Sequence, residues 1–240
     1  MNITKRRSPS SAEKGICYDI DGTRSIEEVT RELDAIAANE LKKQPLNIVL
    51  FGYPGSGRDS QGKALAERYG LEFISTNEML ENEIRNQTEI GKTVIDLYNN
   101  GQQVPDEIVV QLIERRLNAN ANAKGFIFKG LPRTLVQSYI LDGLLKKRGR
   151  SISIALELEV PLLDLVSRLD ERGRSGHGMS YDSSVAKIIE RLKEHESKTL
   201  PVIAKYAQQH GLVKVDGTGT FDEIFPRLCA EVEKSIKNPR

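Results

Sequence analysis

Cysteine is scarce in this chain: Cys17 and Cys229 are the two among 240 residues. Two thiols so far apart build neither a disulfide framework nor a zinc cluster. A reducing, cytoplasm-like compartment is therefore the default. An excess of charge of one sign is lacking too. Lys and Arg number 35 against 34 Asp and Glu, a formal net charge of +1. That removes the electrostatic footprint of a nucleic-acid or anionic-membrane binder. No apolar run approaches the roughly 18 residues that a membrane-spanning helix needs. What is present, 38% hydrophobic and 29% charged residues, suits one globular domain of about 200 residues with a modest extra segment.

The start, Lys5-Arg6-Arg7-Ser8-Pro9-Ser10-Ser11, is basic and serine-rich. Glu13, Asp19 and Asp21 soon follow, so residues 1–18 read as a disordered tail, with an organelle-targeting segment as the alternative. Residues 24–43 carry Ile26, Val29, Leu33, Ile36, Ala37 and Leu41 at helical spacing. From Leu46 onward apolar runs alternate with amphipathic helices. Candidate strands are Leu46–Phe51, Glu72–Ser75, Gly125–Phe128, Ser153–Leu158 and Leu212–Asp216. This alternation predicts an α/β fold, a parallel five-stranded sheet with helices on both faces. In such sheets ligands sit beyond the carboxyl ends of the strands. The basic cluster Lys146-Lys147-Arg148-Gly149-Arg150 reads as a solvated helix end.

The most informative stretch is Gly52-Tyr53-Pro54-Gly55-Ser56-Gly57-Arg58-Asp59-Ser60, between the first candidate strand and a helix start at Gln61-Gly62-Lys63. Strand, glycine loop and helix make a phosphate-binding loop, whose backbone N–H groups and helix dipole favour an anion. The candidate phosphate contacts are Gly52, Gly55, Ser56, Gly57, Arg58 and Ser60. Arg58 stands where the motif has Lys, and Asp59 adds a carboxylate beside it.

One internal echo stands out. Asp21-Gly22-Thr23-Arg24-Ser25-Ile26-Glu27-Glu28-Val29 resembles Asp216-Gly217-Thr218-Gly219-Thr220-Phe221-Asp222-Glu223-Ile224. Each copy holds a capping box, Ser25 with Glu28 and Thr220 with Glu223, so each predicts a helix start. Convergence on a common helix start is one reading. The other is that residues 19–45 are a helical extension copying the tail of a similar upstream unit, so that the chain is a piece of a tandem protein or larger assembly.

Together these residues resemble the adenylate kinase family of nucleoside monophosphate kinases, from about Leu46 to Ile236. The phosphate loop, with Gln61, is similar to the family's loop. Ile74-Ser75-Thr76-Asn77-Glu78-Met79-Leu80 is similar to the start of its monophosphate-binding helix, and Gly101-Gln102-Gln103-Val104-Pro105-Asp106-Glu107 to the end of that part. Gly125 to Thr134, with Gln137, resembles the strand and turn facing the monophosphate. The resemblance implies a P-loop NTPase-type domain over 46–237, with a small helical monophosphate-binding part at about 75–105 and a short lid at about 172–184. It implies ATP and AMP as partners and phosphoryl transfer between them, carried by positioning and electrostatics. Arg133 would clamp the AMP phosphate, beside Thr76 and Gln137. Arg172 and Arg191 would hold the transferring phosphoryl group, and Gly217 and Thr218 would lie near the ATP adenine.

Several positions depart from the family. Arg58 replaces the loop Lys, and a planar guanidinium does not reproduce a compact ammonium. Asp59 replaces a Gly. Lys129 replaces the Asp that helps place magnesium, so no metal ligand is assigned, although magnesium with ATP stays an open expectation. Glu81 replaces an Arg of the monophosphate site, and Arg85, one turn on, is the candidate substitute. In the lid, His177 or Ser180 falls where the family has another arginine, with Arg174 as an alternative. Asp59 and Lys129 are expected to form an ion pair across the magnesium position. Three readings follow: a nucleotide-binding protein whose transfer is weak or absent, a working monophosphate kinase, or a structural module with a decayed site.

Overall fold

The computed structural model describes residues 5–7, 16–18, 20–41, 45–174 and 184–237. Residues 1–44 and 45–240 are two compact units. In the first, strand β1 (Lys5–Arg7) pairs antiparallel with β2 (Ile16–Tyr18), Lys5 opposite Tyr18. This corrects the expectation of a tail disordered throughout 1–18: Ile16 and Tyr18 are strand-forming residues, and they give β1 a partner. Helix α1 (Ile26–Leu41) follows.

The internal echo is structural as well as sequential. Asp21 Oδ1 accepts from the Thr23 N–H at 3.0 Å and its hydroxyl at 2.6 Å. Asp216 Oδ1 accepts from the Thr218 N–H at 2.9 Å and its hydroxyl at 2.6 Å. In both copies, the glutamate reaches back to the helix start: the Ser25 N–H donates to Glu28 at 3.3 Å and the Thr220 N–H to Glu223 at 2.7 Å, and at Ser25 the hydroxyl also accepts from the Glu28 N–H at 3.3 Å.

The second unit follows the predicted alternation. Its elements are β3 (Leu46–Gly52), α2 (Arg58–Tyr69), β4 (Glu72–Ser75), α3 (Thr76–Arg85), α4 (Glu89–Asn99), α5 (Asp106–Ala119), β5 (Gly125–Lys129), α6 (Leu135–Lys146), β6 (Ile154–Glu159), α7 (Leu162–Arg174), α8 (Val185–Glu194), a π-helical turn (His195–Thr199), α9 (Leu200–Gln209), β7 (Leu212–Asp216) and α10 (Phe221–Lys237). The five strands pair in parallel in the order β4-β5-β3-β6-β7. Successive residues of β3 face opposite sides of the sheet. Val49 and Phe51 join Leu112, Leu117, Phe128 and Tyr206 in one core. Ile48 and Leu50 join Leu65, Ile127 and Leu228 in the other. Two covered faces explain why the inner strands β3 and β5 are largely apolar rather than alternating.

Candidate functional site

The site is built at the carboxyl end of β3. Gly52 leaves the strand at φ +141°, where a Cβ would lie 2.9 Å from the Leu158 carbonyl of β6. Gly57 caps α2 at φ +90°. Both positions need a residue without a side chain. The loop closes through the Ser56 N–H to the Tyr53 carbonyl at 3.1 Å, and the Ser60 hydroxyl donates to the Gly57 carbonyl at 3.1 Å. The Ser56 hydroxyl oxygen and Gln61 Oε1 are buried without a hydrogen-bond partner among the described residues, while Gln61 Nε2 donates to the Phe221 carbonyl at 3.2 Å.

Lys129, the last residue of β5, is opposite Leu50 in the parallel register. Its side chain is 5% exposed, and its ammonium lies 2.6 Å from Asp59 Oδ1. The expected ion pair is therefore present. Burial, together with Arg58 and Arg133, pushes the Lys129 ammonium down to about 8, although Asp59 opposes the shift. Burial raises the Asp59 carboxyl, but Lys129 and Arg58 outweigh it and hold it below the usual carboxylate value. Arg58 is lowered to about 10 by burial first, then by repulsion from Arg133 and, more weakly, Arg191. It stays cationic at neutral pH, beside charges of its own sign.

A cleft beside the loop is lined by Pro54, Arg58, Gly130, Arg133, Arg191 and His195, among others. A second cleft, lined by Thr76, Asn77, Tyr98 and Gln137, shares Arg133 and Arg191 with the first. Arg133 is held in place: its Nε donates to the Gly130 carbonyl at 2.9 Å and its Nη2 to Asn77 at 3.2 Å. The Thr76 hydroxyl donates to the same carbonyl at 2.9 Å. Gln137 accepts from the Arg133 N–H at 2.8 Å and donates to Asp106 at 2.8 Å. Asp106 also accepts from the Thr134 hydroxyl at 2.9 Å.

Three of the four expected phosphate arginines, Arg58, Arg133 and Arg191, thus line one cleft. Arg172 lies in the last turn of α7 and is not among the lining residues of either cleft. Arg85 is exposed and lines neither. It sits nine residues beyond Thr76, about 13 Å along α3 at the usual helical rise, which carries it past the pocket. Glu81 accepts from the Tyr98 hydroxyl, tying α3 to α4. Gly217 and Thr218 follow β7, outside both clefts; the Gly217 N–H donates to the Glu159 carbonyl at 2.8 Å. Arg174 pairs with Asp170 at 2.8 Å. His177 and Ser180 lie outside the described residues.

Three contributors were not singled out from sequence. Asp106, at the start of α5, accepts from both Gln137 and Thr134. Lys198 lines the first cleft and pairs with Glu194 at 3.1 Å. His195 is buried against Tyr53, its Nε2 lacks a hydrogen-bond partner among the described residues, and burial with the Arg58 and Arg133 cations pushes its imidazole down to about 3. Asp106 stands within the Gly101–Glu107 motif without a role assigned to it; no local pattern marks Lys198 or His195, which tertiary packing brings in.

Residues 50–211 match the family model described as Adenylate kinase. The chain is 39% identical to an adenylate kinase of Bacteroides thetaiotaomicron over 190 residues, covering 79% of this chain and 99% of that relative. It is 38% identical to one of Phocaeicola vulgatus over 190 residues, with coverage of 79% and 99%. An adenylate kinase of Porphyromonas gingivalis is 37% identical over 193 residues, 80% of this chain and 98% of that relative.

Proposed function

The chain belongs to the adenylate kinase family, and from that premise we propose that it binds ATP and AMP in the paired clefts while transferring phosphate weakly or not at all. The loop residues Gly52, Gly55, Ser56, Gly57, Arg58 and Ser60 hold the ATP phosphates, with Gly217 and Thr218 towards its adenine. Thr76, Arg133 and Gln137 hold AMP. Arg191, with Arg172 brought in by closure, neutralises the group in transit. A reducing cytoplasm suits such a protein, and no helix among the described residues is long and apolar enough to cross a membrane.

The observation that carries the reading is the Lys129–Asp59 pair at 2.6 Å. Family members work with magnesium on ATP. The donor set here does not fit that ion: an ammonium has no lone pair to offer it or its water shell. Removing one oriented charge from such a site costs on the order of 10²- to 10³-fold in rate, and effects within one site do not simply add.

A second reading is a working kinase, ATP + AMP ⇌ 2 ADP. The convergence of Arg58, Arg133 and Arg191 on one cleft favours it, as does the identity to relatives named adenylate kinases. A coupled ATP-plus-AMP assay, with Arg133→Ala as the contamination control, separates the two. Activity within about tenfold of an ordinary family member, abolished in the variant, overturns weak transfer. Activity no greater than the variant's supports it.

We also propose that residues 19–43 repeat the tail of a related unit. The support is the paired Asp-Gly-Thr turns, whose hydrogen bonds agree within 0.1 Å. A longer parent sequence with no related domain ahead of Met1 would sink this.

A further inference from the structure

We propose that the phosphate cleft takes its nucleoside triphosphate free of divalent metal, with the buried Lys129 ammonium standing in the place of a metal ion. The inference rests on the reading that this cleft binds ATP.

Position is the first argument. Lys129 ends β5 opposite Leu50, so it leaves the sheet beside the loop that begins at Gly52. Lys129 lines neither cleft itself, but its strand end and the start of the loop are neighbours in the sheet, through the Leu50–Lys129 register. Lys129 has three N–H donors, and Asp59 is its ion-pair partner among the described residues.

The pair is also lopsided. The Asp59 side chain is 54% exposed and that of Lys129 is 5% exposed. A phosphate oxygen that takes the carboxylate's place keeps the buried ammonium paired, while the half-exposed Asp59 returns to water. Asp59 thus acts as a resident counter-ion that keeps a buried cation neutralised until nucleotide arrives.

Charge is the third argument. Arg58 and Arg133 both repel the Lys129 charge, and Arg133 and Arg191 repel that of Arg58. Repulsion among these gathered cations favours the full charge of an uncomplexed triphosphate. A metal complex brings less negative charge, and it brings a divalent cation against a buried ammonium that cannot move away.

Calorimetric titration of the full chain tests this, with ATP in EDTA and then in excess magnesium chloride. The expected result is binding in EDTA that weakens about tenfold or more with magnesium. Lys129→Asp is expected to reverse the preference. Should that variant fail to fold, Lys129→Gln is expected to lose binding in EDTA without gaining it in magnesium. Binding of the parent that requires magnesium, or Lys129→Gln binding as tightly as the parent in EDTA, overturns the inference and leaves the nucleotide reading standing. No binding under either condition overturns both.

Discussion

Tyr53 of the glycine loop and His195 of the π-helical turn pack ring on ring, with centroids 4.2 Å apart. This contact ties the loop to the segment after α8, and it buries an imidazole among cations. His195 is pushed down to about 3, below the ordinary 6.5, by burial and by Arg58 and Arg133. Between those two values the unfolded chain takes up a proton that the folded chain refuses. Stability from this group is therefore full above pH 6.5 and falls as the pH drops towards 3, by at most about 1.4 kcal/mol per unit. His195→Phe keeps the ring and removes the titration. Thermal melts at about pH 7.5 and 5, on either side of the ordinary imidazole value, should show a smaller acid loss in the variant; equal losses would refute the assignment.

Asp106 spends both carboxylate oxygens on the turn that carries Gln137, at 2.8 Å and 2.9 Å. Asp106→Ala leaves the buried Gln137 amide without this acceptor, a loss of about 1–3 kcal/mol. We expect a fall in melting temperature together with weaker AMP binding. Unchanged AMP affinity would separate this network from the monophosphate pocket.

Helices α3 and α4 approach so closely at Gly91 that an added Cβ would sit 2.1 Å from the Glu83 carbonyl oxygen. Backbone cannot yield as a side-chain tip does. Gly91→Ala should cost about 1–3 kcal/mol and loosen the Tyr98–Glu81 contact. A denaturant melt matching the parent's would contradict the crossing.

Lys129 is held near 8 by burial and by its arginine neighbours. Its charge, and with it metal-free ATP binding, is expected to decline as pH rises through that value. The Kd in EDTA should climb between about pH 7 and 9, a unit either side of it. A flat profile, or the same profile in Lys129→Gln, would assign the dependence elsewhere.

The inner strands β3, β5 and β6 were legible because their buried faces make them largely apolar, while the edge strands β4 and β7 are shorter and partly exposed. Their limits shifted by a residue: β3 extends to Gly52, β5 to Lys129, and β6 spans Ile154–Glu159. Strand order was not legible, since pairing joins segments far apart in the chain. The Lys129–Asp59 pair was foreseeable from two motif positions that flank one phosphate. Arg85 lines neither cleft, and sharing a helix face with Glu81 says nothing about how far along α3 the pocket reaches. The network of Asp106, Gln137 and Arg133, and the burial of His195, depend on elements brought together only by the finished fold.

Asp59 and Lys129 have one further consequence. A metal ion is borrowed from the surroundings, and its supply varies with growth conditions and with every competing chelator. A lysine is inherited with the gene, at one per polypeptide. Occupancy of this cleft would therefore follow the pool of unchelated nucleotide, and would rise when cellular magnesium is scarce, the circumstance in which a metal-dependent relative falls idle.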